Sequence, residues 1–416
     1  MLNELCKRLF IRGLDSVRGG TFHLQCGDDI RFGDSDGDLS GRMVVANDRF
    51  FRRALAAGDI GIGESYMDGD WSSPDLVSLI RLMLRNLAHV ESSGGIIRLA
   101  NRLTGLLARR LRDNSEHGSR AHIHRHYDLG NEFFRLFLDA RHLMYSCGFY
   151  RTPADSLETA QEQKIDRICR KLDLSSADHV LEIGAGWGGF AVWAATRYGC
   201  RVTTTTISDE QYRHVRDWVR RLGDAGSRIT VLRDDYRRLQ GRYDKIASIE
   251  MFEAVGLAHY DDYFAAVDRL LEPDGVMVLQ TITVDEQWYP AYRRTPDWIE
   301  KYIFPGGELA SMGEILTSLA RATRMSLYHA ENIGTHYART LRAWRERFHA
   351  RLDEVRALGF DQRFIRMWDL YLAYCEAAFL ERHAGDFQLV LTKNNSPRTL
   401  FNEPWMTDAA GASAVA

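Results

Sequence analysis

The chain has 416 residues, 45% of them apolar and 27% charged, with a formal net charge of -3. That length exceeds what one core usually holds, so two domains are expected, and the near-neutral balance argues against a protein held electrostatically on nucleic acid. No apolar run approaches the roughly 20 residues that span a bilayer, Met1–Lys7 lacks the pattern of a secretory signal, and the cysteines at 6, 26, 147, 169, 200 and 375 form neither a CxxC pair nor a zinc-type set. A cytoplasmic protein without a metal site is the expectation.

In chain order, the first 90 or so residues read as a small α+β module. Thr21–Leu24 and Arg42–Val45 are short strands, and the glycine-punctuated stretch Gly61–Trp71 leads into a helix with Pro74 near its start. In segment 96–112, Ile96, Leu99, Leu103, Leu106, Leu107 and Leu111 recur at helical spacing. Arg98, Arg102, Arg109, Arg110 and Arg112 decorate the rest of it, with no acidic residue. Such a helix can lie in an anionic lipid surface, or serve equally as a linker helix packed on the protein. The polar run Asp113–Ser119 marks a boundary.

From His179 onward strands and helices alternate. Strands are expected at 180–183, 201–207, 229–232, 243–249 and 276–283, with helices at 190–198, 210–222 and 260–271. This spacing implies βαβ units and a doubly wound, mostly parallel sheet. Two long helices, 337–357 and 364–382, precede a last strand at 387–392. The second carries Phe364, Trp368, Tyr371, Leu372, Cys375 and Phe379 on one face, a stripe read as core.

Glu182-Ile183-Gly184-Ala185-Gly186-Trp187-Gly188-Gly189 lies between a strand and a helix, where glycines let the backbone turn sharply and approach a nucleotide-type cofactor. A dinucleotide site wants an acidic residue about 20 positions downstream. Here the second strand ends in Thr204-Thr205-Thr206-Ile207-Ser208, and the glycines run GxGxGG. The pattern leans toward S-adenosylmethionine and a class I methyltransferase over NAD, without settling the choice.

Further segments narrow it. His126–Asn131, Met144–Cys147, Ser248–Gly256, Lys301–Gly307, Tyr337–Leu341 and Met367-Trp368, with the glycine turn, resemble the cyclopropane-fatty-acyl-phospholipid synthase and mycolic acid methyltransferase family. Gly63–Trp71 looks like the accessory domain of its full-length synthases. The resemblance implies an α/β class I methyltransferase domain over 116–416, preceded by a small α+β, lipid-contacting domain over 1–115. It implies that Tyr145, Ser146, Gly184, Ala185, Gly186, Thr206 and Gln211 contact S-adenosylmethionine, and that Asp235 and Tyr236 contact its adenine. It places Cys147, Ile249, Glu253 and Tyr337 in a shell that holds a bicarbonate ion. The partners implied are unsaturated phospholipid acyl chains, the inner membrane surface as a peripheral contact, and a second copy of the chain.

The chemistry implied is attack of an alkene on a sulfonium methyl, leaving a carbocation on the acyl chain. Loss of a proton from the added methyl then closes a cyclopropane ring, with the bicarbonate as general base. Departures from the family pattern bear on the outcome. Gln280 stands where many bacterial synthases carry histidine, and Ala254 where they often do; Gln280 can hydrogen-bond an oxyanion but cannot relay a proton. Methyl transfer without ring closure is therefore the alternative, and a non-catalytic lipid-binding protein of the same fold a weaker one. Taken singly, Cys147 reads as a buried filler, Tyr337 as a core aromatic, Glu253 as a helix cap, and His259 and His336 as ordinary polar residues.

Overall fold

A computed structural model describes residues 2–86, 129–294, 297–394 and 396. The amphipathic segment 96–112, the polar run 113–119 and His126–Asp128 lie outside the described residues. The chain divides into two compact units. One draws on the described part of 1–112 with 285–305 and 337–384; the other draws on the described parts of 113–284, 306–336 and 385–416. The expected split fell at 115/116; two later segments assigned there to the catalytic domain group with the N-terminal residues instead.

In the first unit, α1 (Leu2–Leu14) precedes β1 (Gly20–Cys26), β2 (Asp28–Gly33), β3 (Leu39–Val45), α2 (Arg49–Met67), β4 (Trp71–Ser72) and α3 (Leu76–Arg85). The sheet order is β2-β1-β3-β4, with β1 antiparallel to β2 and parallel to β3. The two expected strands fall within β1 and β3. The glycine-punctuated stretch differs from expectation, because α2 runs through residues 61–67. Gly58 (φ 54°, ψ -130°) kinks this helix. A Cβ at Gly61 would lie 2.1 Å from the Arg53 carbonyl oxygen, and one at Gly63 would lie 2.3 Å from the Trp298 ring. These glycines serve close packing rather than a turn.

The first unit also contains a buried ionic centre. Asp369 accepts hydrogen bonds from Tyr66 (2.6 Å) and Arg345 (2.7 Å) and lies 2.7 Å from His349 Nε2. Asp369 lies on the helix Gln362–Leu380, whose Trp368, Tyr371, Leu372 and Phe379 are buried as core, with Phe364 and Cys375 half-buried. The helix expected over 337–357 is broken. Arg351 leaves helical geometry (φ -122°, ψ 28°) between Gly334–Ala350 and Leu352–Ala357.

The second unit contains α4 (Leu157–Lys171), β5 (His179–Ile183), β6 (Arg201–Thr205), α5 (Asp209–Arg221), β7 (Ile229–Leu232), β8 (Tyr243–Ile249), α6 (Tyr260–Leu270), β9 (Leu271–Val284), α7 (Met312–Ala322), β10 (Met325–Asn332) and β11 (Ala384–Lys393). Its sheet runs β10-β11-β9-β8-β5-β6-β7. The pairs from β9 through β7 are parallel, and β10 is antiparallel to β11. Both faces are covered, so strand residues alternate between two cores. Leu181, Ile183, Ile246, Met277, Leu279 and Leu389 belong to one, and Val180, Val202, Ala247, Val276, Val278 and Val390 to the other. The expected doubly wound α/β sheet is the one observed. The helix expected at 190–198 begins as an α-helix at Gly189 and closes as a π-turn over Ala194–Tyr198.

The strand order reverses about β5, whose neighbours are β6 on one side and β8 on the other. Open α/β sheets bind ligands beyond the carboxyl ends of the strands at such a switch point. Several polar side chains are buried in or just beside these strands: Glu182, Gln280, Asp386 and Gln388.

Candidate active site

The glycine turn leaves β5 at the switch point. Gly184 (φ 94°), Gly186 (φ 50°) and Gly188 (φ 93°) all adopt left-handed backbone conformations that favour glycine. The amides of Gly184 and Ala185 both donate to the Thr205 carbonyl, at 3.1 and 2.9 Å, tying the turn to the end of β6. Among the described residues, none beyond its own chain neighbours lies within 4 Å of where a Gly186 Cβ would stand. At the end of β6, Thr206 donates from Oγ1 to buried Gln211 (2.8 Å), and Ser208 caps α5 by accepting from the Gln211 amide. Asp235 is buried and takes a two-pronged contact from Arg237 (2.8 and 2.7 Å); the Tyr236 ring packs edge-on against Tyr263. The Tyr145 ring packs on Phe134, while Ser146 accepts a 2.5 Å hydrogen bond from the buried Lys164 ammonium.

Beside this turn lies a cluster of carboxyl groups. A Cβ on Gly184 would meet Met251 at 2.9 Å, so the turn touches the segment that follows β8. Glu250, first residue of that segment, adopts φ 48°. Its Oε1 accepts from the Cys147 amide (2.8 Å) and from Gln280 Nε2 (2.8 Å). The same Gln280 nitrogen donates to Asp386 Oδ2 at 2.9 Å. Glu253 Oε1 accepts from the Ile282 amide (2.6 Å) and from Thr281 (3.0 Å). Among the described residues, Glu253 Oε2 and Asp386 Oδ1 are buried and find no hydrogen-bond donor. Burial, reinforced by the Glu250 charge, pushes the Glu253 carboxyl up to about 8. Burial with the charges of Glu250 and Glu253 raises Asp386 well above the usual carboxylate range. Cys147 is fully buried, and burial with Asp386 and Glu250 keeps it a thiol; its Sγ donates to the Gly148 carbonyl at 3.2 Å.

Among the expected catalytic residues the structure thus joins Cys147 and Gln280 through Glu250, and places Glu253 on the strand residues following Gln280. Ile249 pairs in register with Gln280. Tyr337 belongs to the first unit, where its ring stacks on Phe379 at 4.5 Å. Glu253 does not cap a helix: α6 begins after His259, and the Glu253 carboxyl points to the β9 backbone instead. His259 pairs with Asp262, and His336 accepts from the Tyr150 amide, both ordinary polar roles. Sequence reasoning passed over Glu250, Asp386 and Lys164. Glu250 lay inside a quoted motif, but Asp386 is assembled from a strand more than a hundred positions away.

The open backbone at Gly186, between the Thr206–Gln211 pair and the Tyr145–Ser146 segment, fits a nucleotide-type cofactor. A free bicarbonate does not fit the observed cluster. The amide of Cys147, a residue of the expected shell, already serves Glu250, and the Ile282 amide serves Glu253. A further negative charge would face the Glu250 carboxylate in a buried site.

A doubly wound sheet with this turn at its switch point defines a class I S-adenosylmethionine-dependent methyltransferase. Residues 114–389 match the mycolic acid cyclopropane synthetase family, and the chain belongs to it. It is 39% identical over 357 residues to the tuberculostearic acid methyltransferase of Mycobacterium tuberculosis, covering 84% of this chain and 82% of that protein. It is 38% identical over 366 residues to the cyclopropane-fatty-acyl-phospholipid synthase of Escherichia coli, covering 86% of this chain and 89% of that one. A solved mycolic acid cyclopropane synthase, complexed with S-adenosylhomocysteine, shares the fold with a TM-score of 0.61 at 31% identity, over 66% of this chain and 98% of that one. The enzyme carries out S-adenosylmethionine-dependent transfer to lipid acyl chains.

Proposed function

We propose that the enzyme adds the methyl carbon of S-adenosylmethionine across the double bond of unsaturated acyl chains in membrane phospholipids and closes a cyclopropane ring. The observation that carries this reading is the buried carboxyl cluster of Glu250, Glu253 and Asp386, next to the glycine turn through Met251. Tyr145, Ser146, Gly184, Ala185, Gly186, Thr206 and Gln211 hold the cofactor, with Asp235 and Tyr236 at its adenine. Bound there, the cofactor supplies an electrophilic methyl on a sulfonium.

The alkene electron pair forms the new carbon–carbon bond as the carbon–sulfur bond breaks with its electron pair left on sulfur, and a cation remains on the neighbouring acyl carbon. A dry site with negative charge opposes that cation far more strongly than water would. The Cys147 amide and Gln280 orient Glu250, and Thr281 with the Ile282 amide orient Glu253. Cys147 acts through its backbone N–H and stays a neutral thiol. Ile249 sets the register of β8 against Gln280, and Tyr337 is assigned to the shell by family likeness. Loss of a proton from the added methyl lets its C–H electron pair close the ring.

Glu253→Gln tests this reading. The variant should lose turnover by roughly 100-fold or more while calorimetry finds S-adenosylmethionine affinity nearly unchanged; lost cofactor binding would count against the role. Methyl transfer without ring closure is the second reading, favoured by Gln280 and by the methyltransferase named above. The two outcomes part on whether the product resists mild hydrogenation.

Work at the cytoplasmic face of the inner membrane, as a homodimer, completes the proposal. No described helix is long and apolar enough to cross a membrane, and the arginine stripe of segment 96–112 suits an anionic surface. Light scattering of the purified chain tests the dimer: a single-copy mass would remove it.

A further inference from the structure

We propose that Glu250, hydrogen-bonded to Asp386, is the proton acceptor of the reaction, and that Lys171 is a positioning residue that holds this pair through Gln388 and Gln280. The proposal rests on the acyl-alkylation reading above and replaces the free anion with side chains of the chain itself.

Three observations converge on Glu250. Its carboxylate already occupies the amide of Cys147, a residue that family likeness places in the shell of an oxyanion. Its backbone is left-handed at φ 48°, a conformation that costs a residue with a side chain about 1–3 kcal/mol and gathers at functional positions. A glycine would stand there without strain, yet a glutamate does. Thirdly, Glu250 is hydrogen-bonded to Asp386, whose carboxyl is held protonated by burial and by the charges of Glu250 and Glu253. Two carboxyl groups so close share one proton, leaving one of them ionised. The step then balances. The C–H bond of the transferred methyl breaks, its electron pair forms the last ring bond to the cationic carbon, and the proton passes to the Glu250 carboxylate, leaving for solvent before the next turnover.

A chain of amides fixes the direction in which the pair is held. The buried Lys171 ammonium bonds Glu331 at 2.6 Å and donates to Gln388 Oε1 at 2.7 Å. An ammonium only donates, so Gln388 must turn its oxygen toward Lys171 and its NH2 away. That NH2 meets Gln280 Oε1 at 3.0 Å, which in turn forces the Gln280 NH2 onto Glu250 and Asp386, at 2.8 and 2.9 Å. Without the cation both amides are free to flip, and a flipped Gln280 would present an oxygen to the carboxylate.

The test uses the full chain, S-adenosylmethionine and vesicles of a monounsaturated phosphatidylglycerol. Wild-type turnover should be the same in carbonate-free buffer as with added bicarbonate. A rate that requires bicarbonate overturns the Glu250 assignment alone, whereas failure to alkylate the vesicles at all removes the function reading beneath it. Glu250→Gln should lower kcat by roughly 100- to 10,000-fold with KM for the cofactor unchanged. Glu250→Gly relieves the left-handed strain and should melt no lower than wild type while remaining inactive; a loss of stability together with activity would make Glu250 a structural support. Lys171→Met should lower kcat by about tenfold and Lys171→Arg restore it, and Lys171→Met should add nothing in the Glu250→Gln background. Additive losses would overturn the positioning role.

Discussion

Each unit buries an aspartate in surroundings of opposite sign. Asp369 in the first unit sits among Tyr66, Arg345 and His349, and despite burial its hydrogen bonds to His349 and Arg345, with the Arg345 charge, hold it well below the usual carboxylate range. Asp386 in the second unit sits among Glu250, Glu253 and an amide, and burial with the two glutamate charges drives it upward. The first arrangement satisfies a charge and so supports a fold. The second keeps buried carboxyl groups poised between charge states, which costs stability and suits proton chemistry beside a developing cation.

This contrast can be broken by exchange of one oxygen for nitrogen in each place. Asp369→Asn should destabilise the protein by about 3–5 kcal/mol, because Arg345 is left without its buried counter-charge; denaturant unfolding reads this. Glu253→Gln should cost little stability, since a neutral amide mimics the protonated acid, while turnover collapses because the amide cannot ionise opposite the developing cation. Equal stability losses in the two variants would erase the distinction.

The pH dependence sharpens it further. Glu253 and Glu182 are raised from 4.5 to about 8 in the fold, Glu182 by burial alone against its Thr204 hydrogen bond. The fold keeps protons there that the unfolded chain releases, so stability should fall as pH rises from 4.5 toward 8. Asp369 is depressed from 3.8, so its contribution is present above that value and is lost as pH falls through its lower folded value. Melting curves across pH should therefore show an alkaline limb flattened by Glu253→Gln and an acid limb flattened by Asp369→Asn. An alkaline limb identical in Glu253→Gln would contradict the assignment.

Smaller effects are expected at the glycine turn and the arginine-rich segment 96–112. Gly186→Ala places a methyl in the open cradle at φ 50° and should weaken cofactor binding about tenfold, with about 1 kcal/mol of strain; calorimetry with unchanged affinity would move the cofactor elsewhere. Replacing Arg102, Arg109 and Arg110 together should reduce flotation with anionic vesicles and weaken its salt dependence. Unaltered flotation would free that segment from a membrane role.

The sequence disclosed what is local and hid what is assembled. The glycine turn, Thr206 and the parallel strands declared themselves because a left-handed backbone and two-sided burial each leave a mark within a few residues. Helix α2 was misread because Gly61 and Gly63 answer to Arg53 and Trp298, contacts made by the kink and by a distant segment. Strand β10 escaped notice because only Met325 in it is buried and its half-buried face carries His329 and Glu331, so no apolar alternation marks it. Glu250 was visible yet silent, and Asp386, Gln388 and Lys171 acquired meaning only when β11, β9 and α4 brought them together. A signal available was Gln388, a polar residue inside the otherwise apolar run 387–391.

The most direct test of the central claim is mass spectrometry of vesicle lipids after reaction of the purified chain with S-adenosylmethionine bearing a fully deuterated methyl. The account predicts acyl chains that gain one carbon carrying two deuterons and that resist mild hydrogenation. Chains that keep all three deuterons, or that gain no carbon, would contradict it.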